Sequence, residues 1–180
     1  MRLPTTTAAF FDLDKTVIAT SSAYVYGKEF LNSGLISPST AFSMSLAKAS
    51  YMVSGHSSEQ MDASRDQLSN MVTGWDVNQV KQIADDTLHT VVAPTIYAEA
   101  RDLIAHHLTA GHDVVIISAS ATVLVEPIAK ELGVRTVIAT KLEEADGKFT
   151  GNISFYCKGA AKAEAIRTLA AQNGYKLATS

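Results

Sequence analysis

Two carboxylates at the tip of an apolar run constrain this chain more than any other feature. Residues 8–16 read AAFFDLDKT, with Asp12 and Asp14 one residue apart in a stretch that is otherwise aromatic and aliphatic. A run such as 8–13 predicts a β-strand covered on both faces. Ionised carboxylates are costly to bury without partners, so this strand has to end where its acids meet a crevice, a cation or both. In an extended chain residues i and i+2 face the same side, which brings the two acids together. The carboxyl ends of parallel strands are where α/β sheets open such crevices.

Residues 113–117 (DVVII) and 135–139 (RTVIA) read as two further buried strands. Between them, 123–132 predicts a helix stopped by Gly133, with Pro127 marking an early turn or a kink. Strand, helix, strand at this spacing is the unit of a parallel sheet. From about 21 to 93 the texture changes, and apolar residues recur at helical spacing. Ser37-Pro38 reads as an N-cap with proline at the first helical position, and Ser57 with Gln60 and Asp76 with Gln79 resemble capping boxes. Three or four amphipathic helices are expected there. Tyr24, Tyr26, Phe30, Phe42 and Tyr51 suit packing among them. Pro94 opens another helix, 95–110, which Gly111 stops; Asp146-Gly147 is a hairpin turn, and a last helix spans 160–172. The fold class is therefore α/β: a Rossmann-like parallel sheet with helices on both faces, formed by 1–20 and 94–180, interrupted by a helical subdomain at 21–93.

Composition narrows the function. The chain has 180 residues, 47% of them hydrophobic, and a net charge of −3 with no block of lysine and arginine. This fits one folded domain with an insertion, and argues against nucleic acid or a membrane surface as partner. No run reaches the length of a membrane span, and Asp12 and Asp14 interrupt the N-terminal region too early for a signal peptide. The single cysteine, Cys157, cannot form an intramolecular disulfide. A cytoplasmic protein is expected, with Cys157 a small packed residue and His106 and His107 on a solvated helix face.

The pattern D-x-D-x-T of Asp12, Asp14 and Thr16 after a hydrophobic strand resembles the first motif of the haloacid dehalogenase-like phosphohydrolase superfamily. VVIIS, ending at Ser118, resembles the second, and YCKGAAKAEAIRTL supplies the lysine of the third. Lys162 is the favoured lysine and Lys158 its rival. The spacing of Cys157, Gly159 and Lys162, the DGKFTG hairpin and the helical insertion after motif one are similar to the phosphoserine-phosphatase-like branch. The resemblance implies a Mg²⁺-dependent phosphatase acting on a small phosphorylated metabolite, phosphoserine or a relative of it. Asp12 would be the nucleophile, forming an aspartyl phosphate, and Asp14 the general acid and base. The Asp12 carboxylate and the Asp14 carbonyl would hold the metal. Ser118 and Ala119 would bind the phosphoryl oxygens, Lys162 would neutralise charge, and Thr16 would support the loop.

The chain also departs from the family pattern. The fourth motif, an acidic pair after a further strand, is absent, and the sequence stops at YKLATS where that strand would begin. The C-terminal part of the core is missing from the pattern. The first strand would then lie at an exposed apolar edge, so a longer parent polypeptide or a second copy covering that edge is expected. Ser21 stands where phosphoserine phosphatases have a substrate-binding glutamate, Arg65 is the candidate for their carboxylate-binding arginine, and Ala119-Ser120 replaces their Gly-Gly. A phosphotransferase to an acceptor other than water, or a silent binding protein, are the alternatives that these departures keep open.

Overall fold

The computed structural model describes residues 7–40 and 58–177, without the side chains of 58–64. The proposed cap pair Ser57–Gln60 and the aromatics Phe42 and Tyr51 fall outside that description. In chain order the elements are β1 (Ala8–Asp12), α1 (Ser22–Asn32), α2 (Ser58–Val72), α3 (Val77–Thr87), α4 (Ala98–Thr109), β2 (Asp113–Ala121), α5 (Thr122–Glu131), β3 (Thr136–Ala145), β4 (Lys148–Phe155) and α6 (Gly159–Asn173).

The sheet has the order β1-β2-β3-β4. The first three strands form the expected parallel core, and β4, the return strand of the expected hairpin, is antiparallel to β3. Among the described residues β1 pairs in the sheet with β2 alone and lies at its edge, as expected. Its faces are nonetheless covered. Phe11 meets His107 of α4 edge-on, while Phe10 meets Tyr175, just beyond α6, in the same way. Neighbouring residues of a strand point to opposite faces, so α4 and the end of α6 lie on opposite sides of β1. Asp12 shares the side of Phe10, which is the side of α6. Tyr175 also donates a 2.8 Å hydrogen bond to Asp113 at the start of β2. Burial and that bond to a carboxylate push its phenol up to about 12.

The helix predicted over 95–110 begins later. Helix α3 runs into a π turn (Leu88–Val92) and a 3₁₀ turn (Ala93–Thr95) that holds Pro94, and α4 starts at Ala98. The cause is a tertiary bond pair: Ala19 donates to the carbonyl of Thr95 and Tyr97 to that of Val17. The strand leaving the sheet and the strand returning to it thus run antiparallel for a few residues. Asp76 does cap α3, accepting from the Gln79 N–H at 2.9 Å, and Ser37 accepts from Thr40. Tyr26 and Phe30 stack in the interior and Phe30 meets Trp75, whereas Tyr24 is exposed.

The third strand continues past the predicted 135–139, through Ala145, into the hairpin. Asp146 and Gly147 both have positive φ, as an Asp-Gly turn of the type that matches strand twist requires. The hairpin reaches the helical segment. Gly74 donates to the carbonyl of Phe149, Phe149 to that of Trp75, and Val77 to that of Gly147. Ser69 donates to the Gly151 carbonyl and Arg65 to that of Ile153. Gly151 has φ of +88°, and a Cβ there would lie 2.1 Å from Thr73 Oγ1 and 3.2 Å from the Ser69 carbonyl oxygen. Gly151→Ala should therefore destabilise the chain by about 2–3 kcal/mol, from left-handed strain plus the clash. Urea unfolding measures it, and a loss under about 0.5 kcal/mol would show that the contact yields.

His107 departs from the expected solvated face. It is half-buried against Phe11, with Nδ1 3.0 Å from Nδ1 of His112. Burial, then the neighbours His112 and His106, hold its pKa below the usual histidine value. The folded chain thus resists protonating His107 more than the unfolded chain does. Unfolding takes up protons as pH falls through about 6.5, so this part of the stability is present above that value and lost below it. His112→Gln should reduce the drop in urea midpoint between pH 7.5 and 5.5; an undiminished drop would count against the pair.

Candidate active site

The carboxyl ends of β1 and β2 bring the motif residues together. Parallel pairing sets Asp12 beside Ile117, so Ser118 follows one step on at the same end of the sheet. Beyond Ser118 the β2–β3 register breaks: Ser118 lies opposite Ala139, and Ala121 opposite the next residue, Thr140. Ala119 and Ser120 are thereby extruded as a bulge, a device that re-aims side chains at a strand end. Thr140, fully buried, holds the bulge: its hydroxyl donates to the Ala119 carbonyl at 2.6 Å and accepts from the Cys157 N–H. The hydroxyl of Ser118, itself buried, accepts from the Ser120 N–H at 3.1 Å.

After β1 the chain turns sharply. Lys15 adopts a left-handed conformation, φ 59°, uncommon for a residue with a side chain. The N–H groups of Thr16, Val17 and Ile18 converge on the Leu13 carbonyl. Thr16 is exposed, and it supports the turn by its main chain; its hydroxyl makes no hydrogen bond among the described residues.

Lys162 Nζ lies 2.7 Å from Asp12 Oδ1 and joins residues 150 apart in sequence. Asp12 is about half exposed and Lys162 about a quarter, so the pair faces solvent on one side. Such partly exposed pairs add little to stability, and the acid at the strand tip remains accessible. Lys162 sits in the first turn of α6, the helix end that carries partial positive charge. Lys158 occupies the N-cap of that helix. Cys157, fully buried, lies behind the pair, where burial raises its thiol pKa against the opposing influence of Lys162.

Asp14 is held from two sides. Its Oδ1 accepts the Ser22 N–H at 3.0 Å, and its Oδ2 lies 3.5 Å from the Ser120 hydroxyl. Ser22 and Ser120 hydroxyls bond to each other. Arg65 is not part of this cluster; its guanidinium donates to the Ile153 carbonyl at 3.2 Å, on the hairpin. A cleft of about 510 Å³ between α3 and α5, lined by Lys81, Asp85, Glu126, Lys130 and Arg135, includes none of the motif residues. The motif residues instead share the strand tips.

Asp12 and Asp14 supply hard oxygen donors of the kind Mg²⁺ takes. Among the described residues no group of three or more His, Cys, Asp or Glu side chains is placed to hold a metal. One or two carboxylates suffice when an ion keeps waters and substrate phosphate as its other ligands, so the donor set fits Mg²⁺.

A model of the haloacid dehalogenase-like hydrolase family matches residues 9–180. The chain belongs to that family. A relative from Mycobacterium tuberculosis strain H37Rv, named "Probable phosphatase Rv3661", is 49% identical over 171 residues, covering 95% of this chain and 60% of its own length. The "Inhibition of morphological differentiation protein" of Streptomyces azureus is 48% identical, covering 95% of this chain and 62% of its own. This chain thus spans about three fifths of the curated relatives it matches. Among solved structures, a Bordetella pertussis protein of unknown function superposes with a TM-score of 0.81 at 24% identity, covering 97% of this chain and 78% of that one. A phosphoserine phosphatase in a phospho-aspartyl intermediate analogue superposes at 0.61 with 18% identity, covering 96% and 75%. The family fold and its phosphoserine-phosphatase-like neighbours are those the motifs imply. No helix among the described residues is long and apolar enough to cross a membrane.

Two residues of the cluster have no motif to announce them. Thr140 reads as an ordinary β-branched strand residue, and Ser22 as a member of a serine-rich loop; Ser120 stands where the related phosphatases have the second glycine of their Gly-Gly.

Proposed function

We propose that this chain carries the active site of a Mg²⁺-dependent phosphatase acting on a small phosphomonoester. The observation that carries the reading is the 2.7 Å contact between Lys162 and Asp12, at the end of the sheet where Ser118 of β2 and Asp14, just after β1, also stand. In this reading a carboxylate oxygen of Asp12 attacks phosphorus, the ester P–O bond breaks, and Asp14 gives its proton to the departing alcohol oxygen. Water then attacks the phosphorus of the aspartyl phosphate, Asp14 takes the water's proton, and the Asp12 carboxylate leaves. Lys162, the hydroxyl of Ser118 and the main-chain N–H of Ala119 offset charge on the phosphoryl oxygens. The Asp12 carboxylate and the Asp14 carbonyl would hold Mg²⁺, which when bound adds positive charge beside the phosphoryl group.

A phosphoserine-like metabolite is one member of the class the family resemblance implies for this site. The helical segment 21–93 would act as the cap over the core formed by 1–20 and 94–180, excluding water. Cys157 suits a reducing cytoplasm. The edge of β1 is where a second copy, or more of the parent protein, would add.

The test is release of inorganic phosphate from a panel of phosphomonoesters, with Mg²⁺ and after chelation by EDTA. Release that EDTA stops is expected. Added glycerol that diverts the phosphoryl group into glycerol phosphate would favour the phosphotransferase, and no release from any ester would favour a silent binding protein.

A further inference from the structure

The two serines around Asp14 join three parts of the fold. Ser22 opens α1 in the helical segment, Ser120 sits in the bulge of β2, and Asp14 follows β1. Ser22 is fully buried, and its hydroxyl bonds to that of Ser120, 98 residues away in sequence. Ser120 in turn is fixed through its N–H by the Ser118 hydroxyl. Asp14 receives the Ser22 main-chain N–H on Oδ1 and faces the Ser120 hydroxyl with Oδ2.

We propose that Ser22 and Ser120 are positioning residues that fix the orientation of the Asp14 carboxylate toward the leaving group. A main-chain N–H can only donate, so it reserves Oδ1 as an acceptor. Oδ2 is then the oxygen that exchanges a proton with the departing alcohol and the incoming water. A hydroxyl both donates and accepts, so Ser120 can face Oδ2 whether or not that oxygen carries the proton. The Ser22 hydroxyl keeps the Ser120 rotor in place, and it does so from the helical segment. A carboxylate that is free to turn about its last torsion would lose this alignment, and proton transfer depends on it. The bridge therefore makes alignment of Asp14 conditional on α1 being seated against β2.

This inference rests on the phosphatase reading, and the experiment separates the two. Proton donation matters most for a poor leaving group such as an alkoxide and least for nitrophenolate. Wild type, Ser120→Ala, Ser120→Thr and Ser22→Ala are compared on β-glycerophosphate and p-nitrophenyl phosphate. For Ser120→Ala the loss of kcat should be on the order of tenfold greater with β-glycerophosphate than with p-nitrophenyl phosphate, and KM should change less than kcat. Ser22→Ala should show the same bias more weakly. Ser120→Thr, which keeps the hydroxyl, should restore the wild-type ratio. The double variant Ser22→Ala/Ser120→Ala should lose little more than Ser120→Ala, because the two act as one unit. Equal losses on both esters, or no rescue by threonine, would overturn the positioning role while leaving the phosphatase reading intact. A wild type that releases phosphate from no ester of the full panel would overturn that reading, and this one with it; where the panel finds other substrates, the same comparison is made on an alkyl and an aryl ester that the wild type hydrolyses.

Discussion

Asp12→Asn should abolish phosphate release, by on the order of 10³-fold or more. The asparagine amide is nearly the same size and keeps an oxygen at the strand tip, but it carries no negative charge to attack phosphorus. The partial exposure of the Asp12–Lys162 pair makes the substitution nearly neutral for folding, so the effect is chemical. Two measurements check it. Steady-state release reports the loss of turnover. Acid quenching of the wild type with labelled substrate should trap label on the protein in a form that is lost on mild base treatment, and the variant should trap none. Substantial turnover by Asp12→Asn, or label retained in it, would move the nucleophile elsewhere.

The second large effect belongs to Lys162. Lys162→Met keeps much of the aliphatic stem and removes the cation 2.7 Å from Asp12. Charge on the phosphoryl oxygens would then be offset only by neutral donors and by whatever cation Asp12 and Asp14 hold. The expected cost is on the order of 10²-fold in kcat/KM, the scale seen when a preorganised charge stabiliser is removed. Lys158→Met should cost no more than about threefold, because Lys158 caps α6 with its main chain rather than reaching Asp12. A larger loss for Lys158→Met than for Lys162→Met would reverse the assignment and revive the rival lysine.

The elements that were legible in the sequence are those whose local signal agrees with the tertiary outcome. The AAFFDL run marks β1, and DVVII marks β2, because buried parallel strands are apolar throughout. Asp146-Gly147 marks the hairpin through a conformation that few residue pairs adopt. Asp12, Ser118 and Lys162 converge because each stands at a strand or helix end that the topology brings to one edge. What the sequence could not disclose depends on register and contact. The bulge at Ala119–Ser120 arises from pairing with β3, and no local preference demands it. The late start of α4 follows from bonds between residues 17–19 and 95–97, which compete with Pro94 as a helix opener. That the strand-like run KLEEA before the hairpin turn is continuous with the third strand is also not legible, because this polar, charged stretch lies mostly at the surface. Arg65 is a candidate through the family resemblance, and its contact with the Ile153 carbonyl is one that a sequence match does not reveal.

The bonds between the hairpin and the α2–α3 corner have a mechanical consequence. Main-chain hydrogen bonds at Gly74, Trp75 and Val77 tie the α2–α3 corner to Phe149 and Gly147. The helical segment is thus bonded to the sheet through the hairpin as well as through the chain leaving β1 and the chain entering α4. Displacing that corner from the hairpin would break these main-chain bonds, so any rearrangement that keeps them has to carry the hairpin along.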